Sequence, residues 1–277
     1  MRIQLLSDLH LEAHPHFVPQ PALGADVLVL AGDIGSYQAG SSLHDDDWGL
    51  ARFSPTPALG GVGSWPTPVL FIPGNHEYDA RDVDDAQAKM RAVCLRLGIR
   101  WLDGQSVTMA DAQGPVRFIG TTLWTDFDAL SAPDEPMTSA LKKRSKAYSA
   151  ANFHLKNALM TRHGAPFLAE EVRAEGLRCQ AWLQAQLSAP FEGRTVVVTH
   201  FAPSLKSRDP RYGLQPGTAG FCNALDHLLP LADLWLHGHL HCQLDYRFGR
   251  CRVVANPLGY VRKNEQLGFE PQLLLQL

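Results

Sequence analysis

Short apolar runs recur along this chain, and each is closed by polar residues of the same few types. Arg2 to Leu6 leads into Ser7-Asp8-Leu9-His10. Val27-Leu28-Val29-Leu30-Ala31 leads into Gly32-Asp33-Ile34-Gly35, and Val69-Leu70-Phe71-Ile72 leads through Pro73 into Gly74-Asn75-His76-Glu77. Thr195 to Thr199 lands on His200, and Asp233 to Leu236 delivers His237-Gly238-His239-Leu240-His241. Runs this short, rich in β-branched side chains and without polar alternation, predict strands buried on both faces, as in a parallel sheet. The Pro after Ile72 cannot donate to a sheet ladder and fixes that strand's end.

Between the runs the period changes. Asp79 to Leu97 reads as a helix, with Val83, Ala86, Met90, Val93, Cys94 and Leu97 at spacings of three and four and Gly98 as its stop. Glu135 to His163 reads as a second helix, ending at Gly164. Pro166 suits the first turn of a third, with Leu168, Val172, Cys179, Leu183 and Leu187 as its core face. Strand-like pieces lie near Ser106 to Met109 and Val116 to Ile119. A short helix is expected before Leu229, a hairpin around Gly249-Arg250, and a closing strand near Gln272 to Gln276. Ser36 to Pro68 is rich in Gly, Pro, Ser and Asp and reads as a loop insertion, long enough to act as a lid or specificity loop. No internal repeat or linker interrupts the pattern, so one α/β domain over residues 1–277 is expected.

Composition narrows the partners more than the fold. The formal net charge of −3 argues against a dedicated polyanion-binding surface, although a local positive site is compatible with it. The five cysteines are scattered and show no paired spacing, which points away from a disulfide framework and toward a reducing compartment, the cytoplasm. No leader pattern opens the chain, and no run approaches the ~20 apolar residues that a membrane span needs, so no membrane partner is expected.

In open α/β sheets, site residues sit just past the carboxyl ends of strands. Five predicted strand ends here carry Asp8 and His10, Asp33, Asn75 and His76, His200, and His239 and His241. Any one of these pairs is weak evidence, because a lone His after a strand is usually structural and Gly-Asp is a common turn. Five termini placing Asp, Asn or His by accident is a different matter. Oxygen and imidazole donors suit Zn, Mn or Fe, whereas Ca and Mg prefer oxygen alone. The donors exceed what one tetrahedral ion takes. Two ions sharing a carboxylate use them well, with Asp33, central in the set, as the natural bridge.

The order DxH, GD, GNHE, isolated His and GHxH, running from Asp8 to His241, resembles the calcineurin-like metallophosphoesterase superfamily. That resemblance implies a four-layer αββα sandwich with a dinuclear metal site at the strand ends. It implies one metal ion on Asp8, His10, Asp33 and His241, and a second on Asp33, Asn75, His200 and His239. It further implies hydrolysis of a phosphodiester or phosphomonoester of small or medium size, with a metal-bridging hydroxide as nucleophile. Asp33 and His76 would be the catalytic residues, His76 contacting the phosphate and assisting the leaving group. Two dications outweigh the charges of Asp8, Asp33 and one hydroxide, so the site would still attract a phosphate anion. Two other readings stay open: a DNA or RNA nuclease of the same superfamily, which the acidic balance disfavours, and a metal-binding scaffold without catalysis, which the complete motif set disfavours. A lipid-linked nucleotide hydrolase would need an apolar cap, and the sequence offers no obvious one.

The surroundings are read more plainly. Asn75 and His76 are the expected contacts to substrate, with Arg208 and Arg211, in the loop after His200, as candidates for a second phosphate or a carboxylate. Glu77 is read either as a partner for an imidazole or as a helix-start acid. His237 is read as structural, His14 and His16 as loop residues, His154 as an ordinary helix residue and Cys242 as a small buried one. Lys142 to Lys146 is read as a solvated helix face.

Overall fold

A computed structural model describes residues 1–56 and 64–277, so residues 57–63 of the predicted insertion lie outside the described residues. The strands are β1 (Arg2–Leu6), β2 (Val27–Ala31), β3 (Val69–Ile72), β4 (Arg100–Trp101), β5 (Gln105–Asp111), β6 (Gly114–Thr121), β7 (Thr161–Arg162), β8 (Ala165–Pro166), β9 (Arg194–Thr199), β10 (Leu234–His237), β11 (Leu244–Phe248), β12 (Cys251–Ala255) and β13 (Leu274–Gln276). The helices are α1 (Val83–Leu97), α2 (Met137–Ala158) and α3 (Ala169–Ser188).

Two large sheets form. One has the order β13-β1-β2-β3-β4, parallel except where β13 pairs antiparallel with β1. The other has the order β11-β12-β10-β9-β6-β5, with parallel pairing at its centre and antiparallel β11–β12 and β5–β6 pairs at its edges. The apolar runs pack face to face: Ile3, Leu5, Val27, Val29 and Leu70 from the first sheet meet Phe118, Val196, Val198 and Leu236 from the second. Outside the first sheet, α1 buries Met90, Val93, Cys94 and Leu97. Outside the second, α3 lays Leu183 and Leu187 beside Val197, Trp235 and Val253. The layers run αββα, as the motif order implied, because strands apolar on both faces need cover on both.

Several boundaries differ from expectation. Helix α1 begins at Val83, because Asp82 caps it by accepting the Asp84 backbone N–H at 3.1 Å. Pro166 belongs to β8, and α3 starts three residues later. The segment before Leu229 forms no α-helix; only a 3-10 turn at Leu229–Leu231 appears. The insertion is also no free flap. Its Trp48, Leu50 and Phe53 have no exposed surface, and Trp48 donates its indole N–H to the Glu77 carbonyl at 2.9 Å. Helix α2 is the opposite case. Of its residues only Ala147 is buried, while it packs against the 3-10 turn Pro216–Gly220 above the strand ends. Among the described residues no helix is long and apolar enough to cross a membrane.

Candidate metal centre

The first site residues follow directly from β1, β2 and β3, which lie side by side in parallel. Their exits are tied together: the Asp8 N–H donates to the Gly32 carbonyl at 2.9 Å and the His10 N–H to that of Asp33 at 3.1 Å. The exits of β9 and β10 approach from the other sheet, joined by the Gly238 N–H and the His200 carbonyl at 3.1 Å. Two glycines make this proximity possible. A Cβ on Gly32, whose φ is +85°, would lie 2.4 Å from His200 Nδ1, and one on Gly74 would lie 2.2 Å from Asp33 Oδ1.

Side chains from all five exits converge. Asp8, His10, Asp33 and His241 each present an atom within 4.8 Å of the others, and Asp33, His200 and His239 form a second such group. Asp33 belongs to both. In the first group the Nε2 atoms of His10 and His241 stand 3.1 Å apart, and His241 Nε2 lies 3.4 Å from Asp8 Oδ1. In the second, His200 Nε2 lies 3.2 Å from Asp33 Oδ2, 3.2 Å from Asn75 Oδ1 and 3.2 Å from His239 Nδ1.

The opposite ring nitrogens are held from behind. His10 Nδ1 meets Glu12 Oε1 at 3.0 Å, His241 Nδ1 meets Glu265 Oε2 at 2.6 Å, and His200 Nδ1 meets the Ala31 carbonyl at 2.9 Å. Such outer partners fix the tautomer and turn the inner nitrogen toward a metal. His76 stands beside the groups, with its N–H donating to Asp33 Oδ1 at 2.9 Å and its Nδ1 2.6 Å from Asp79 Oδ2. Glu77 does not meet an imidazole. Its carboxylate takes the backbone N–H groups of Asp33, Ile34 and Gly74 at 3.0, 2.6 and 2.6 Å, which binds two of the site turns together.

The electrostatics are those of a buried site with too much unbalanced charge. Burial resists ionisation of Asp8, but His241 outweighs it and holds the carboxyl at about 2. Asp33 is likewise pulled well below the usual carboxylate range, against burial, by His200 and His76. Burial alone would keep the imidazoles neutral, yet Asp33 raises His200 to about 9, and Asp8 with Glu265 raises His241 to about 9. Burial and neighbouring His200 leave His239 well below its ordinary value. For His76 the pull of Asp33 and Asp79 exceeds the burial effect and raises it to about 10. Two buried carboxylate oxygens, Asp8 Oδ2 and Asp33 Oδ2, accept no hydrogen bond, although each carboxylate lies beside an imidazole. Facing imidazole nitrogens and unpartnered carboxylate oxygens together fit divalent cations, which would displace the protons on His200 and His241.

The centre opens into a cleft of about 470 Å³ whose rim includes His154, Tyr212, Tyr260, Arg262 and Lys263. Neither Arg208 nor Arg211 lines that cleft: Arg211 is paired with Asp209 at 2.6 Å, and Arg208 faces a neighbouring outer cavity. His237 is buried, its ring nitrogens meeting Ser207 Oγ and the Gly238 carbonyl at 3.0 Å each, and burial lowers it to about 4. His14 reaches the Gly259 carbonyl at 2.9 Å. Cys242 is only partly buried, because it lies past the strand end rather than in the core.

Sequence reasoning passed over Glu12, Asp79, Tyr260 and Glu265. Glu12 and Asp79 lie two and three positions after ligand-motif histidines, so a local signal existed for both. Tyr260, whose ring stacks 4.3 Å from that of His10, and Glu265 had none, because only the folded C-terminal segment brings them in.

A family model described as calcineurin-like phosphoesterase matches residues 1–243. No curated protein gives a match. Among solved structures, the phosphopantetheinyl hydrolase of Mycobacterium tuberculosis is similar with a TM-score of 0.70 at 18% identity, covering 99% of this chain and 95% of the other. A dimetal phosphatase from Danio rerio is similar at 10% identity over 98% of this chain and 89% of the other, with a TM-score of 0.43. At 18% identity the likeness to the mycobacterial structure concerns the fold alone.

Proposed function

Since the chain belongs to the calcineurin-like phosphoesterase family and is a phosphoric ester hydrolase, we propose that it hydrolyses phosphodiesters or phosphomonoesters of small or medium size at the dinuclear site. In this reading Asp8, His10, Asp33 and His241 hold one ion, and Asp33, Asn75, His200 and His239 hold the other, with Mn, Fe or Zn as the metals. The observation that carries it is the pair of Asp/His groups sharing Asp33, whose Oδ2 is buried without a hydrogen-bond partner. Metals bound there supply Lewis-acid polarisation of phosphate oxygens and a hydroxide nucleophile at neutral pH.

The chain's own residues do the rest. Asp33 takes a place in both metal sets and anchors the His76 backbone through its Oδ1. Asp79 engages His76 Nδ1 and is itself fixed by the Ser36 hydroxyl at 2.8 Å, leaving Nε2 as the nitrogen that serves the substrate. A proton held on that ring by Asp33 and Asp79 is available to the departing alkoxide. All five thiols are free, which suits the cytoplasm, and β13 pairing with β1 brings the chain's ends together, which suits a single domain over 1–277.

The test is elemental analysis of purified protein, combined with turnover of aryl phosphate mono- and diesters under added Mn, Zn, Fe or Ni. His76→Ala should lower kcat by about 10²- to 10⁴-fold with metal content retained. Undiminished turnover in that variant would remove His76 from the mechanism, and protein that stays empty in metal-replete buffer would remove the whole reading.

A further inference from the structure

Beside the second metal group the cleft continues into an apolar slot of about 120 Å³. Asn75 and His239 form its floor and connect it to the cleft. Trp124, Phe127 and Phe201 wall it, each no more than 3% exposed, and Phe221 stands at the mouth at 40%. The Phe201 ring lies 4.0 Å from that of His239, so the apolar wall begins where the candidate ligands end. Ala151 and Leu155 of α2 close one side, and Gly217 and Gly220 of the Pro216–Gly220 turn close the other. Both glycines leave room for a side chain at the slot wall. A Cβ on Gly217 would meet only Ala150 at 3.7 Å and Phe221 at 4.0 Å, and one on Gly220 only Phe127 at 3.5 Å and Ala151 at 3.8 Å.

An apolar cavity of this order holds water poorly, and one of ~150 Å³ accepts a benzene-sized guest. A charged phosphate has no use for such a wall, whereas the ester group attached to it does. We propose that the substrate is a phosphoester carrying a ring-sized apolar group, which seats in the slot between α2 and the Pro216–Gly220 turn while the phosphate lies over the Asp/His groups. The assignment rests on the phosphoesterase reading for the phosphate and on the slot alone for the apolar group. Apolar contact of this size separates substrates by about 10- to 100-fold.

The experiment uses the full chain with Mn²⁺ and two matched pairs of probes. Phenethylphosphonate and ethylphosphonate, which cannot be hydrolysed at an ester, are compared by calorimetric titration. Phenethyl and ethyl phosphate, whose alcohols have nearly the same acidity, are compared by kcat/KM, as monoesters and as methyl diesters. The phenethyl member should bind at least tenfold tighter and react about 10- to 100-fold faster. Gly217→Leu, which fills the slot from the turn, should bring both ratios to within twofold; Gly220→Val serves the same purpose if the first variant does not fold. Equal affinity of the two phosphonates for the unaltered chain, or an undiminished preference in the filled variants, overturns the proposal. A binding preference without turnover of any ester upholds the slot and defeats the phosphoesterase reading. Turnover without preference does the reverse.

Discussion

At the scale of single residues, the site is paid for in backbone conformation. Asp8, His10, Asp33, His239 and His241 all have left-handed backbones, with φ of 51°, 44°, 53°, 73° and 47°. Such positions cost of order 1 kcal/mol or more each outside glycine, and Asp and His tolerate them better than most residues. The strain persists because hydrogen bonds fix each turn, as where the His239 N–H donates to Asp8 Oδ1 at 2.8 Å. The left-handed turns hold Asp8 with His10, and His239 with His241, inside short loops whose side chains converge on the same buried point. Glu265 illustrates a different contribution. It lies past the 1–243 family match, yet it holds His241 Nδ1 and accepts the Tyr260 N–H at 2.9 Å. Glu265→Ala should weaken metal binding about 10- to 100-fold, with Glu265→Gln recovering part of the loss, because Gln can still accept from His241. Metal titration followed by mass spectrometry checks this, and equal affinity in all three proteins would reduce Glu265 to a loop residue.

At the scale of elements, the insertion and α2 exchange the roles that their composition suggests. The Gly- and Pro-rich segment after Asp33 looks like a mobile loop, but Trp48, Leu50, Phe53 and Trp65 join the core beneath α1, and Trp48 hangs on the backbone of Glu77. Trp48→Ala should therefore cost about 3–5 kcal/mol in denaturant unfolding. It should also lower metal content indirectly, since Glu77 ties the Asp33 and Gly74 turns. A loss under 1 kcal/mol would return the segment to the status of a lid. Helix α2 gives the core only Ala147 outright, with Tyr148, Ala151, Leu155 and Ala158 packed partly buried against it, and it also meets α3 and the Pro216–Gly220 turn. Its basic residues are largely solvated or paired at the surface, as Lys143 is with Glu135 and Arg144 with Asp128.

At the scale of the whole molecule, two sheets end their central strands at one edge and gather carboxylates and imidazoles into a small buried volume. Cations held there would take ligands from both sheets and so tie them together. Metal at a hundred times its dissociation constant adds about 2.7 kcal/mol of stability. For a chain of 277 residues that is a rise in Tm of roughly 4–5 °C. Scanning calorimetry of the protein in EDTA and after Mn or Zn addition measures the shift, and an unchanged Tm would mean that the groups bind no ion in the folded state.

The sequence by itself determined the central strands and singled out the candidate donors. Val27 to Ala31 and Thr195 to Thr199 admit little else than doubly buried strands, and Asp8, Asp33, Asn75, His200, His239 and His241 announce themselves by falling just past such ends. Local rules sufficed there because strand propensity and turn chemistry act over a few residues. Only the tertiary structure decided that Glu77 bonds backbone rather than imidazole, that Trp48 is core, that Glu265 and Tyr260 reach the site from the C-terminal segment, and that Phe127, Phe201 and Phe221 leave a slot beside Asn75. Those facts depend on which distant segments share a volume, and burial and chain crossing settle that where no pattern along the sequence records it.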